Sequence, residues 1–189
     1  MKGIEKITYG PLPGNIGLGV YSFRLFASGE PLDAQQIVQI IDLLESSKLS
    51  EHHKTVSLEG FDEDSSESWV YTLCQTLKDY KYRLRVVSDG TMFHSWYKLA
   101  DHLVVFVEDR LSWTKFKAHQ IIYNPQKDMK EPDLPPLDVG TWLYLDTTGL
   151  EKTQCTAFLR EAKHSWGIYK ETMNLSGEPV LEQVLYKKE

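Results

Sequence analysis

Cysteine is scarce: the 189 residues contain two, Cys74 and Cys155. A disulfide framework needs more, and neither residue belongs to a CxxC pair. These two thiols alone therefore cannot build a zinc ribbon or a cysteine-ligated iron–sulfur cluster. Long apolar runs are missing as well. None approaches the ~18 to 20 residues of a spanning helix, and the N-terminus has no apolar signal core, so a soluble, cytoplasmic chain is expected. Positive charge is in deficit, with Lys+Arg 21 against Asp+Glu 27 and a net charge of −6. Binding to nucleic acid through a broad basic face is excluded on that balance. Several catalytic signatures are absent too. There is no GxxxxGK[ST] phosphate loop and no GxSxG nucleophile elbow. Gly14, Gly17 and Gly19 precede a strand pattern, which is the wrong order for a phosphate site at a helix N-terminus.

What is present is a core. Apolar residues make up 41% and aromatics 12% of the chain, enough to fold one α/β domain over residues 1–189. Gly10 to Gly19 reads as a loop, and Val20 to Ala27 as a strand dense in β-formers. Asp33 is placed to cap a helix over about Ala34 to Ser47, whose Ile37, Ile40, Ile41 and Leu44 share a face. A strand at Thr55 to Glu59 follows. Asp64 and Glu67 then fit a capping box for a second helix bearing Leu73, Cys74 and Leu77. Tyr82 to Val87 is the third strand, and a short helix carries Phe93, Trp96, Tyr97 and Leu99. Further strands are expected at Leu103 to Val107, His119 to Tyr123 and Thr141 to Leu145. Between the last two lies an excursion over about 124–139, which holds four prolines and should be irregular and superficial. Lys152 to Lys163 has a helical pattern, and GIYK a strand-like one. The patch Val180 to Tyr186 fits either type. Short, almost continuously apolar strands alternating with helices imply parallel pairing and right-handed crossovers. An open three-layer sheet and a partial barrel satisfy that pattern equally.

One sequence of phrases discriminates. A Gly-rich opening is followed by VYSFRLFASG, an amphipathic helix, VSLEG, a capped helix, RLRVVSDGT and DHLVVFVED. This order resembles the small radical S-adenosylmethionine enzymes, above all 7-carboxy-7-deazaguanine synthases and the activating enzymes of anaerobic ribonucleotide reductase. The resemblance covers roughly residues 10 to 110. It implies a partial (β/α) barrel of about six mostly parallel strands with flanking helices. Val20 to Ser28 stands where that family's first strand leads into a CxxxCxxC loop. Leu58-Glu59-Gly60-Phe61 stands in place of a GGEP-like motif, and Ser88-Asp89-Gly90 in place of a TNG-like phrase. The departure is chemical. After Ser28 the chain runs through Gly29-Glu30-Pro31 into the helix without a cysteine, so no iron–sulfur cluster and no other cofactor is expected. Radical cleavage is not carried over, and the altered diglycine removes the family's contact to the sulfonium compound. The resemblance thus implies a pseudoenzyme, a scaffold without its reaction.

Ligands of α/β folds sit beyond the C-terminal ends of parallel strands. There the chain offers Glu59, Ser88, Asp89, Glu108 and Asp146 as candidate ligand-binding residues. Carboxylates at one rim suit a hard divalent ion and metal-dependent hydrolysis or lyase chemistry. Equally, Asp and Glu are common in such loops because they cap helices and turns. His52-His53 reads as a solvated turn, and His94, His102, His119 and His164 are isolated. Arg110, Trp113, Lys115, Phe116 and Lys117 form the most basic stretch, and its interleaved aromatics suit a partner surface. The leading expectation is a non-catalytic binding or regulatory protein that acts through a protein partner, with homodimerisation as a subsidiary mode. A phage or mobile-element accessory role would fit so reduced an enzyme relative. The alternatives are a divalent-metal hydrolase or lyase using the rim carboxylates, and a nucleoside or nucleotide sensor.

Overall fold

The structure is a computed structural model that describes residues 4–11, 21–27, 32–46, 55–62, 66–107, 118–125, 129–173 and 179–184. These fall into two compact units, Ile4 to Leu103 and Val104 to Val184. The fold is α/β with mostly parallel pairing, as the alternation of elements implies.

In the first unit, β1 (Ile4–Pro11) lies antiparallel to β2 (Tyr21–Ala27). β2 is parallel to β3 (Thr55–Glu59), and β3 to β4 (Arg83–Ser88). The helices α1 (Ala34–Ser46) and α2 (Glu67–Asp79) fill the two crossovers. α1 begins where Asp33 caps it: its Oδ1 accepts the Gln35 N–H at 3.0 Å, and Gln36 Oε1 accepts the Asp33 N–H at 3.2 Å. These bonds satisfy end groups that have no partner inside the helix. α2 begins later than the Asp64 capping box predicts. Its N-cap is Ser66, and Glu67 Oε1 instead accepts the Ser95 N–H at 2.8 Å, at the start of a 3₁₀ helix over Ser95–Leu99.

Strand alternation sorts the side chains of this unit into two faces. Phe23 and Leu25 align with Val56 and Leu58, which align with Leu84 and Val86. All six are buried, as are Ile37, Val38 and Ile41 of α1 and Val70, Leu73, Cys74 and Leu77 of α2. Right-handed crossovers between neighbouring parallel strands place both helices on this apolar face, and α2 packs on both α1 and β4. Each buried Leu, Ile or Val contributes about 1.5–3 kcal/mol. The opposite face, which no described helix of this unit covers, carries Arg24, Ser57, Glu59 and Arg85.

In the second unit, β5 (His102–Val107) contributes from Val104 onward. It is followed in parallel order by β6 (Gln120–Tyr123), β7 (Trp142–Asp146) and β8 (Gly167–Met173), with β9 (Pro179–Val184) antiparallel to β8. α3 (Lys152–Glu161) joins β7 to β8. Its Phe158 packs with Tyr123 at 5.8 Å and with Trp166 at 5.4 Å between ring centroids. The other sheet face buries Val104, Ile122, Tyr144 and Tyr169, with Phe106 against them.

Each unit's sheet is open and ends in an antiparallel strand. The expected strand count of about six was too low. β1 has no clear strand pattern because IEKITYGP mixes charge with β-formers, and the Val180 patch forms β9, antiparallel to β8. α3 stops at Glu161 rather than Lys163 because Ala162 turns extended, with ψ 141. The excursion lacks helix or extended strand where it is described, but it is not wholly superficial: Pro125 and Pro132 are buried.

Candidate functional site

The face of the first unit opposite its helices is built around one carboxylate. Register places Arg24, Ser57 and Arg85 side by side on β2, β3 and β4, and Glu59 lies one pleat further along β3. Arg24 Nε donates to Glu59 Oε1 at 2.8 Å and Arg24 Nη2 to Oε2 at 2.6 Å. The Ser57 hydroxyl donates to Oε1 at 3.0 Å and itself accepts from Arg85 Nη1 at 2.9 Å. Arg85 Nη1 stands 3.7 Å from Oε1. Arg24 also lies over the Phe26 ring at 4.9 Å. Ser57 and Arg85 are buried, so this is an ion-paired row held away from bulk water, where charge-assisted bonds are strong.

A second polar cluster forms where the chain leaves β3 and β4. Glu59-Gly60 and Asp89-Gly90 turn sharply there, with φ of 74° and 75° at the two glycines, a region that side chains with a Cβ rarely adopt. The turn after β3 delivers Asp62. One Asp62 oxygen accepts the Tyr97 hydroxyl, and the other accepts the Asp89 N–H at 2.7 Å. Ser88 Oγ lies 3.0 Å from the Tyr97 oxygen and accepts the Gly90 N–H at 3.0 Å. His94 Nε2 lies 3.2 Å from the Asp62 carbonyl oxygen. Burial raises the Asp62 pKa above its ordinary value, although bonds from Tyr97 and Asp89 oppose that. Burial, reinforced by the Asp62 charge, pushes the Tyr97 hydroxyl well above the usual tyrosine range. The cluster thus holds a carboxyl, a phenol and a serine hydroxyl in mutual contact, able to retain a proton and to present hydrogen bonds.

Of the expected ligand-binding residues in the first unit, Ser88 and Asp89 come together and Glu59 stands apart from them. Ser88 and Asp89 join the Asp62 cluster. Glu59 pairs in register with Val87, so it lies on the sheet face opposite to that of Ser88. Asp146 belongs to the second unit, where its Oδ1 accepts the Thr148 N–H at 2.9 Å and its Oδ2 accepts from Asn124 Nδ2 at 3.3 Å. Glu108, Arg110, Trp113, Lys115, Phe116 and Lys117 lie outside the described residues.

Arg24, Arg85, Asp62 and Tyr97 were not foreseen. The arginines are signalled by charge inside otherwise apolar strands, YSFRLFA and RLRVVS. Asp62 is signalled by the acidic run Asp62-Glu63-Asp64 directly after the turn. Among the described residues no group of three or more His, Cys, Asp or Glu is placed to hold a metal ion.

The iron–sulfur cluster of the enzymes that this chain resembles does not fit its two cysteines. Cys74 is fully buried on α2 and its thiol is pushed up to about 12 by burial. Cys155 lies on α3 of the other unit and is also shifted upward by burial. Cluster ligation needs accessible thiolates, and two inert thiols on separate helices cannot supply a three-thiolate loop. Comparison with protein-family models, curated proteins and solved structures finds no match in any of the three.

Proposed function

We propose that this chain is a non-catalytic binding or regulatory protein on a radical-SAM-like partial barrel, acting through a protein partner. One observation carries the reading: every described strand-end carboxylate of the expected set is engaged by donors of its own unit. Glu59 is filled by Arg24 and Ser57. Asp89 Oδ1 takes the Thr91 N–H at 2.9 Å and the Thr91 hydroxyl at 2.7 Å. Asp146 is held by Thr148 and Asn124. A metal hydrolase needs such oxygens turned toward the ion, whereas Glu59 here ties β2 to β3 and Asp89 and Asp146 fix their own turns. The barrel reading draws support from the consecutive parallel order within each unit. The partner surface in this proposal is the basic and aromatic stretch from Arg110 to Lys117.

Two measurements test it. Thermal unfolding with Mg²⁺, Mn²⁺ or EDTA should be flat, because a specifically bound ion would raise the midpoint by mass action. A metal-dependent rise that Glu59→Gln or Asp146→Asn abolishes, together with hydrolytic turnover, would replace binding with catalysis. Affinity purification from the native host should recover a stoichiometric protein that is lost on replacing both Trp113 and Phe116 by Ala. Equal recovery by that double variant would remove the partner surface from the proposal.

A further inference from the structure

Two buried polar side chains in the second unit have atoms with no hydrogen-bond partner: the Tyr144 hydroxyl and Gln120 Oε1. Tyr144 is 0% and Gln120 2% exposed. Both lie on the face opposite to the one that α3 covers, which no described helix of this unit occupies. Gln120 sits opposite Trp142 in the β6–β7 register, and Ile122 opposite Tyr144, so the two are diagonal neighbours on adjacent strands. Strands lie about 4.8 Å apart and residues two apart are about 6.6 Å along a strand, so one small molecule can reach both. Around them stand Phe106 and Tyr169, whose rings meet edge to face at 6.1 Å. Gly167, across from Tyr144 on β8, adds no side chain to the row.

A buried polar group without a partner costs roughly 1–3 kcal/mol, and two on adjacent strands are unusual in native proteins. Phe and Leu would fill the same space without that cost. We infer that this face of β6 and β7 is a binding site for a small, neutral, planar cyclic amide. The groups define the class. Gln120 Oε1 is an acceptor and calls for an N–H. The Tyr144 hydroxyl, a neutral phenol whose pKa burial pushes up further to about 12, donates to a carbonyl. A lactam edge offers that N–H and C=O side by side, and the flanking aromatic rings suit a flat heterocycle. The described side chains in register with the two, Val104 and Trp142 beside Gln120 and Phe106 and Ile122 beside Tyr144, are all uncharged, which favours a neutral ligand. Asp146, two residues beyond Tyr144 on this face, is already held by Thr148 and Asn124. This inference stands apart from the protein-partner proposal and survives its failure.

The test uses the full chain with 2-pyridone and uracil as probes and N-methyl-2-pyridone as the donor-blocked control, incubated to equilibrium because both atoms are shut off from solvent. The expected result has three parts. The two lactams raise the unfolding midpoint and the methylated control does not. Tyr144→Phe and Gln120→Leu match or exceed the wild type in stability without ligand. Each variant also weakens lactam binding by about tenfold or more, the loss of one hydrogen bond to a buried group. Two outcomes overturn the inference. Lower stability of Tyr144→Phe without ligand would mean that the hydroxyl is already satisfied in the native protein, for instance by an internal water. An absent lactam shift, or an equal shift with the methylated control, would remove the ligand class.

Discussion

Arg24 grips Glu59 from the neighbouring strand through two parallel hydrogen bonds, Nε to Oε1 at 2.8 Å and Nη2 to Oε2 at 2.6 Å. The side chains are 24% and 13% exposed, so solvent screens the pair only in part. Glu59 also lies beside Arg85, which is itself 4% exposed. Glu59→Gln removes the negative charge from between two guanidinium groups. The cost of breaking a buried pair is 3–5 kcal/mol, and partial exposure reduces it here to about 2 kcal/mol. In urea the midpoint should fall with the slope unchanged. Arg24→Ala should cost less, because it leaves Glu59 beside Arg85. Equal stability of Glu59→Gln and wild type would show the row to be energetically idle.

Lys81 closes α2 in the left-handed region with φ 67. Around it the Tyr82 N–H donates to the Leu77 carbonyl at 3.0 Å and the Lys81 N–H to the Lys78 carbonyl at 2.9 Å, the bond pair of a Schellman cap. Glycine occupies that position without steric penalty. Lys81→Gly should therefore stabilise the chain by about 0.5–1 kcal/mol, offset in part by greater freedom of the unfolded chain. Lys81→Ala, which keeps the Cβ, should give no such gain. Thermal unfolding of the two variants side by side decides it.

Fold class was legible where the apolar pattern was continuous. TVSLE, HLVVFV and WLYLD run as buried strands, and the Asp33 cap with its Ile37–Ile41 face located α1. What escaped was set by tertiary pairing. β1 and β9 form because β2 and β8 offer them antiparallel edges, a fact no local pattern contains. The site was harder to read for the same reason. Glu59 and Ser88 both end strands, yet one residue of register turns them to opposite faces. Asp62 gains its role only because the turn at Gly60 carries it to Tyr97, more than thirty positions further along the chain.

Asp62 should make stability fall as pH rises. Its folded pKa is raised above the ordinary value of 3.8, so the folded state holds the proton more tightly than the unfolded state. The stabilisation from that proton is full below pH 3.8 and is lost as pH climbs through the folded pKa. Asp62→Asn carries no such proton, so the stability of wild type relative to the variant should decline over that range. Tyr97→Phe, which strips a donor from the same carboxyl, should cost about 1–3 kcal/mol. Denaturation midpoints of wild type and Asp62→Asn at several pH values above 3.8 give the slope. A flat or rising difference would show that the carboxyl is not held in a desolvating site.

Glu131 gives the opposite sign. Its carboxylate collects the Lys163 N–H at 2.8 Å, the His164 N–H at 3.1 Å, Trp166 Nε1 at 2.8 Å and His164 Nδ1 at 2.8 Å. It thereby ties the Pro-rich excursion to the turn between α3 and β8. Burial opposes ionisation, but bonds from Trp166, Lys163 and His164 win and hold the pKa below its ordinary 4.5. The stabilisation is complete above pH 4.5 and disappears as pH falls through the lowered folded value. Glu131→Gln keeps the shape and loses the charge that strengthens each bond. It should cost about 2 kcal/mol near neutral pH, in line with hydrogen bonds to a charged acceptor. The gap to wild type should shrink in acid. Hydrogen exchange gives a second readout. In the variant the Lys163 and His164 amides should lose protection selectively, while the amides of β6 and β7 keep theirs. Uniform loss across the unit would mean that Glu131 supports the whole sheet and not the excursion alone.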